Sequence, residues 1–318
     1  MTTQNSVGGN IKENNILLSI CIPTFNRAEY LNTALLSIVE QPWFSERCEI
    51  IISDNHSTDN TQNIVEVFLE KYKNIRYYRN ETSIGADRNF LRLLSLGQGK
   101  YLKLHSDKAC FYENKLTDLI KYLDKVDNSV VFILNEHNDL INRGIIECSN
   151  LDEFVRLISF WSTWMGGIIL KNEKYQALKN KDRAIGSNLV QTDIMFRLLS
   201  DCGPSLIINE KLQYEQEVEL KGGYNLFEVF VSNYLGFYQQ YLKTGILSYK
   251  TYHKEKINLL KKFIFPWYTT TLLLKDQRYQ FDVSKAHRII LKHCWNEPQL
   301  YLYPVYLLTR FYKKLTAS

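Results

Sequence analysis

Five short apolar runs separated by helix-period stretches fill the first 135 residues, and this alternation constrains the fold more than any other feature. The runs are Ile16–Ile22, Glu49–Ser53, Asn74–Tyr78, Tyr101–Leu104 and Val130–Leu134. Between them, apolar residues recur at helical spacing at about 28–40, 60–72, 86–97 and 112–125. Asp59 and Asn114 stand where helix caps are expected. Strands alternating with helices in this way predict an α/β domain whose largely parallel sheet is covered on both faces. Ligands of such sheets bind in loops beyond the carboxyl ends of the strands.

The pattern loosens from about 136 to 224, where Trp161–Leu170 and a helix near 188–200 stand out. From 225 onward only helical periodicity is visible, at 225–243, 253–275, 283–294 and 299–315. The expected plan is a polar extension (1–15), an α/β domain (16–224, in halves 16–135 and 136–224) and a helical subdomain (225–318). No internal repeat or low-complexity tract appears.

Composition narrows the class. Hydrophobic residues make up 45% of the 318 and charged residues 23%, which excludes a disordered or fibrous chain. Six Cys without a CxxC pair argue against a zinc site or a disulfide framework and suit a reducing cytoplasm. The longest uncharged runs, 157–170 and 229–242, hold 14 residues each, short of the ~20 that a membrane-spanning helix needs. Met1–Asn15 has neither a basic n-region nor an apolar h-region, so no signal peptide is expected. The chain reads as cytoplasmic, free or attached to a membrane surface. Its net charge of +5 is uneven. Residues 243–318 hold 14 Lys/Arg against 4 Asp/Glu, and residues 1–242 hold 25 against 30.

Four loops follow the first four strands. Pro23-Thr24-Phe25-Asn26-Arg27 ends a strand at Pro23 and offers the Arg27 fork, suited to phosphate or carboxylate. Asp54-Asn55-His56-Ser57-Thr58-Asp59 puts an acceptor carboxylate at a strand tip; capping of the next helix explains the same composition. Asn80 to Asn89 (NETSIGADRN) places Gly85 at a turn and Arg88 in a first helical turn. His105-Ser106-Asp107-Lys108 sets two metal-competent side chains two residues apart. Taken singly, the second loop reads better as a helix N-cap, the third as another capped helix and the fourth as a surface turn.

Together, in the order PTFNR, SDNHSTDNT, NETSIGADRN and GKYLKLHSDK, they resemble the family-2 glycosyltransferases of GT-A (Rossmann-like) fold, well over 16–135 and more faintly to about 215. The NxxxIGxxRNF stretch is similar to bacterial O-antigen and capsule sugar transferases, including an abequosyltransferase-like branch. The resemblance implies that Pro23, Thr24, Asn26 and Arg27 line a nucleotide pocket in the first half of the domain, and that Asp54 contacts the base. Asp87, Arg88 and Asn89 would lie near the diphosphate or donor sugar, with Ser106 and Asp107 beside them. Asp107 falls on the last Asp of the family's DxD motif, whose Mn²⁺ or Mg²⁺ neutralises the leaving diphosphate. His105 replaces the first Asp, so the expected ligands are Asp107 and, less fittingly for Mg²⁺, His105. Asp193, in Thr192-Asp193-Ile194-Met195, matches the family's catalytic base for an inverting transfer. Trp161, Trp164, Gly166 and Gly167 match the region bordering the acceptor, where Trp faces stack on sugars and glycines admit a ligand; core packing explains the Trp pair equally well. Glu215, Glu217 and Glu219 read as a solvated face.

The implied function is transfer of a hexosyl or deoxyhexosyl group from a nucleotide-diphosphate donor to a glycan hydroxyl, probed against two alternatives. One is a degenerate nucleotide-sugar-binding protein, and the other a metal-independent transferase using Arg27, Arg88 and Lys108 as a charge clamp. Residues 261–268 and 301–315 mix aromatic and basic side chains, as an interfacial segment beside a lipid-linked acceptor would. A helical subdomain that buries these rings accounts for them as well. No nucleic-acid motif accompanies the charge.

Overall fold

A computed structural model describes residues 16–138, 142, 144–201, 203–218 and 220–307. The expected polar extension and the last part of the basic tail, from 308, lie outside the described residues. Contacts divide the chain into two compact units, one of 16–150 with 161–217 and one of 151–160 with 218 onward.

The first unit runs β1 (Leu18–Thr24), α1 (Ala28–Val39), α2 (Phe44–Arg47), β2 (Cys48–Asp54), α3 (Thr61–Lys71), β3 (Ile75–Arg79), α4 (Ala86–Ser95), β4 (Tyr101–Leu104), β5 (Ala109–Phe111), α5 (Lys115–Lys125), β6 (Val130–Ile133) and β7 (Gly144–Cys148). All five expected strands and four expected helices are present, with short additions. The second unit contributes α6 (Leu151–Ile158), after which the first resumes with β8 (Ile168–Lys171), α7 (Asn172–Ala177), α8 (Val190–Asp201), β9 (Ser205–Asn209) and β10 (Gln213–Glu215).

Eight strands form one sheet in the order β3-β2-β1-β4-β8-β6-β9-β7. The β3-β2-β1-β4 block is parallel throughout. β8 then enters antiparallel to both β4 and β6, while β6 and β9 are parallel. Every residue of β1 and β2 is buried, as expected of strands with helices on both faces. Leu31, Leu35 and Ile38 of α1 and Val65 and Phe68 of α3 pack with Ile20, Ile22, Ile50 and Ile52 in the core. The chain leaves β1 toward β2 on one side and later returns to β4 on the other. That reversal opens a crevice at the carboxyl ends of β1 and β4. Asp59 stands one residue before Asn60, the N-cap of α3, and accepts from the Thr61 and Ala28 amides at 3.1 and 2.9 Å, whereas Asn114 adopts a left-handed conformation and its side chain caps nothing.

The second unit continues with β11 (Lys221–Asn225), α9 (Tyr234–Lys243), α10 (Tyr249–Leu259), α11 (Phe265–Tyr268), β12 (Tyr279–Asp282), α12 (Ala286–Cys294) and α13 (Pro298–Tyr301). Asp152 of α6 accepts from the Ser248 amide at 2.6 Å and the Thr251 hydroxyl at 2.9 Å, which fastens α6 to the start of α10. The unit is not wholly helical, since β11 pairs in parallel with β12. Among 261–268 three rings meet others of the unit. Phe263 packs on Phe230, Trp267 meets Tyr279 and Phe281 edge-on, and Phe265 contacts Tyr303. Of these rings Phe265 is buried while Phe263, Trp267 and Tyr268 are half-buried, and Lys261 and Lys262 are exposed. No helix among the described residues is long and apolar enough to cross a membrane.

Candidate active site

The crevice between β1 and β4 gathers the loops singled out from sequence. Asp107, just past β4, is buried, and its oxygens accept from the Thr24 hydroxyl at 3.1 Å and the Arg27 guanidinium at 3.0 Å. Burial pushes its carboxyl up, and Arg27 and Thr24 oppose that shift. Asn26, with φ of 51°, turns the chain so that its amide donates to Ser57 Oγ at 2.8 Å and its Oδ1 accepts from the Thr58 amide at 2.7 Å. The loops after β1 and β2 are thereby locked to each other. Pro23 lies in β1 beside Ser53 of β2. Arg27, Arg79 at the end of β3, and Arg88 in the first turn of α4 expose their side chains to solvent wholly or in part.

Several expected contacts are turned inward instead. Asp54 is fully covered, and its oxygens accept from the Ser57 amide at 2.8 Å and the Tyr77 hydroxyl at 2.6 Å. Its carboxylate shapes the loop in this conformation and presents no open oxygen to a base. Asp87 is buried and accepts from the Gly186 and Asn188 amides at 2.8 and 3.0 Å, with Val190 at 3.5 Å. It therefore holds the turn leading into α8. Asn89 donates to the Ser53 carbonyl at 3.0 Å and accepts from Ser53 Oγ at 2.7 Å. Of the Asp87-Arg88-Asn89 triplet, only Arg88 faces outward.

His105 departs most clearly from its expected role as a metal ligand. It is completely buried, its ring stacks on Phe111 at 5.2 Å, Nε2 lies 2.9 Å from the Ala109 carbonyl, and Nδ1 lies 3.3 Å from Lys103 Nζ. Burial and the neighbouring Lys103 hold the imidazole well below its usual range, so it is neutral. A neutral ring that donates from Nε2 and accepts at Nδ1 has no lone pair left for a metal. Lys103 itself is buried without a carboxylate partner, donating also to the Leu104 and Gly166 carbonyls at 3.0 and 2.8 Å. Burial pushes its ammonium down to about 7. Among the described residues no group of three His, Cys, Asp or Glu side chains could hold a metal ion. The motif thus supplies one carboxylate, Asp107; Ser106 beside it is buried.

Lys108 leads away from this centre to an aromatic group. Its ammonium pairs with Glu215, whose other oxygen accepts from Trp164 Nε1 at 2.9 Å. His137 stacks on Trp161 at 4.2 Å and 10° and meets Trp164 edge-on at 4.8 Å. Glu215 is exposed as expected and is also partnered by Lys108 and Trp164. Neither Glu215 nor His137 carries a local signal that would have marked it. Gly166 and Gly167 are buried, and what approaches them is protein. A Cβ on Gly166 would meet the Trp164 ring at 2.9 Å, and one on Gly167 would meet the Ile133 carbonyl at 2.6 Å. Gly166 is thus packed by Trp164 and Gln213, and Gly167 by Phe132 and Ile133 of β6. Asp193 on α8 is buried, with Arg183 Nε 3.1 and 3.0 Å from its two oxygens and Arg197 at 3.8 Å.

A β3-β2-β1-β4 parallel block with antiparallel strands beyond it is the arrangement of the GT-A (Rossmann-like) fold. Residues 19–164 match the model described as "Glycosyl transferase family 2". The chain is 31% identical over 208 residues to abequosyltransferase RfbV of Salmonella typhimurium, an alignment spanning 59% of this chain and 62% of that protein. It is 27% identical over 115 residues to glycosyltransferase GlyG of Streptococcus pneumoniae, covering 36% and 38%. Among solved structures, TarS 1–349 of S. aureus in complex with UDP-GlcNAc superposes with a TM-score of 0.61 at 17% identity, over 86% of this chain and 79% of that one. The mannosyltransferase PcManGT of Pyrobaculum calidifontis, in complex with GDP-Man and Mn²⁺, does so at 0.51 and 14%, over 98% and 91%. At these identities the structural likeness speaks for the fold.

Proposed function

We propose that this chain transfers a hexosyl or deoxyhexosyl group from a nucleotide-diphosphate sugar to a hydroxyl of a lipid-linked glycan, with inversion, at the inner face of the membrane in bacterial surface-polysaccharide synthesis. The observation that carries the reading is Asp107, gripped by Thr24 and Arg27 at the β1/β4 switch point and followed by a lysine that reaches an aromatic platform. Arg27, Arg79 and Arg88 offer guanidinium forks to the diphosphate. Mg²⁺ and its relatives are commonly held by one or two carboxylates completed by substrate phosphates, so Asp107 alone fits that role. Such a cation, when bound, offsets the charge of the leaving diphosphate.

His137, Trp161 and Trp164 present ring surface on which a sugar's C–H face can stack. Asp193 takes the proton of the acceptor hydroxyl as the new bond to C1 forms and the diphosphate departs from the opposite face. For that step Arg183 has to release the carboxylate. A metal-independent variant, with Arg27, Arg88 and Lys108 as the charge clamp, is favoured by one observation: both oxygens of Asp107 are already partnered.

The test is a thermal-shift and transfer screen against UDP-, GDP-, CDP- and dTDP-sugars. A donor at 100 times its Kd stabilises the folded state by about 2.7 kcal/mol. A reproducible shift with one donor class, with hydrolysis or transfer of its sugar, is expected. No shift and no turnover with any donor overturns the reading. Activity abolished by chelation and restored by Mn²⁺ selects the metal-assisted form, and activity indifferent to chelation selects the clamp.

A further inference from the structure

The second unit carries an outward face that its own packing leaves uncovered. In α12, Ala286, Ile290 and Cys294 are buried and fix the inward stripe. At about 100° per residue, Arg288, Leu291, Lys292 and Trp295 fall on the opposite side. Leu291 is 51% exposed and Trp295 66%. Tyr301 Oη donates to the Trp295 carbonyl at 2.8 Å, which draws the next turn alongside. There Tyr301, Leu302 and Val305 are each more than half exposed.

Charge says what fits this surface. Among the described residues, Lys285, Arg288 and Lys292 have no carboxylate within ion-pair distance, while nearby acids of the same unit are engaged elsewhere. Glu297 pairs with Lys256 at 3.0 Å, Asp276 with Arg278 at 2.7 Å, and Asp282 accepts from Asn225 at 3.0 Å. A cationic face would repel a second copy of itself across a two-fold interface. Indole and leucine flanked by Lys and Arg match the chemistry of a lipid interface, with rings at headgroup depth and cations toward phosphates. In the other stretch of this composition, 261–268, Phe263 and Trp267 pack on Phe230 and Tyr279.

We propose that the outward face of α12 and the turn after it, centred on Arg288, Leu291, Lys292 and Trp295, is a docking surface for an anionic phospholipid bilayer. It gives the lipid-linked acceptor reading a physical site; it rests on that reading for its purpose only.

The experiment is co-sedimentation of the full chain with vesicles of phosphatidylcholine alone and of phosphatidylcholine with phosphatidylglycerol, at low and physiological salt. Nucleotide-sugar thermal shifts are measured on the same samples. Binding to the anionic vesicles only, weakening with salt, is expected. Each cation near such a surface is worth roughly fivefold in partitioning, so Arg288→Gln with Lys292→Gln lowers binding by more than about tenfold. Leu291→Ser with Trp295→Ser lowers it comparably, with the melting profile and nucleotide shifts retained in both variants because all four side chains lie on the surface. Absence of binding to anionic vesicles, binding undiminished in both double variants, or concentration-dependent self-association abolished by the same substitutions without lipid binding overturns the proposal. Failure of the nucleotide shifts alone leaves the docking result standing and counts against the transferase reading.

Discussion

Replacing Asp87 separates the role implied by family resemblance from the one its surroundings give it. Near a diphosphate or donor sugar, its loss would abolish donor binding and spare the fold. In the structure its carboxylate accepts the Gly186 and Asn188 amides at 2.8 and 3.0 Å from a buried position, and the Val190 contact at 3.5 Å adds little. Hydrogen bonds to a charged group contribute about 1.5–3 kcal/mol each, so losing the two makes Asp87→Ala cost about 3–6 kcal/mol. Asp87→Asn keeps one oxygen for both amides but halves their strength, at a cost of roughly 2 kcal/mol. For a unit of this size each kcal/mol lowers Tm by about 2–4 °C, giving a drop of roughly 10 °C for Ala and about half that for Asn. The assay is thermal unfolding of wild type, Asn and Ala variants, with nucleotide affinity measured well below each midpoint. The structural account expects graded Tm values and unchanged nucleotide affinity. An Ala variant that melts with the wild type but no longer binds nucleotide would refute it.

Burial holds the Lys103 ammonium down at about 7, against about 10.4 for the unfolded chain. The unfolded state therefore binds more protons between those values, so stability rises with pH from about 7 to about 10; Lys103→Met should remove that rise in urea unfolding measured at several pH values. Asp193→Asn should lower transfer by about 10²–10⁴-fold with donor binding retained, and near-normal turnover would remove it as the base. Gly167→Ala forces a Cβ to 2.6 Å from the Ile133 carbonyl and should destabilise the first unit by about 1–3 kcal/mol without changing nucleotide affinity, read by thermal shift; a neutral result would return Gly167 to the ligand-approach role.

The parallel core of the fold was legible because its signal is local. β1 and β2 are buried on both faces, so they read as continuous apolar runs, and the helices between them expose one polar face. β8 was harder: it belongs between β4 and β6, distant in sequence, and Trp161–Leu170 carries no mark of antiparallel pairing. β11 and β12 are short strands in a helical context, too brief for a period to show. The aromatic tail reads two ways for a related reason. Lys261–Tyr268 has the composition of an interface, but composition cannot say which side a ring faces. Phe265 is buried, Phe263 and Trp267 pack in part on other rings of the unit, and a more exposed cationic, apolar face lies on α12.

By itself the sequence determined the class of fold: strands, helices and the four loops at their ends are written in consecutive residues, whereas Thr24 and Arg27 meet Asp107 across 83 and 80 residues. Only the tertiary structure decided what each side chain does there. It buried His105 against Lys103 and Ala109, committed Asp54, Asp87 and Asn89 to backbone and neighbouring side chains, and joined Lys108 to Glu215 and Trp164 across more than a hundred residues. The physical reason is that residue type sets what a polar group can bond to, while burial and distance set what it does bond to. Those are properties of packing between segments far apart in the chain, which no local pattern carries.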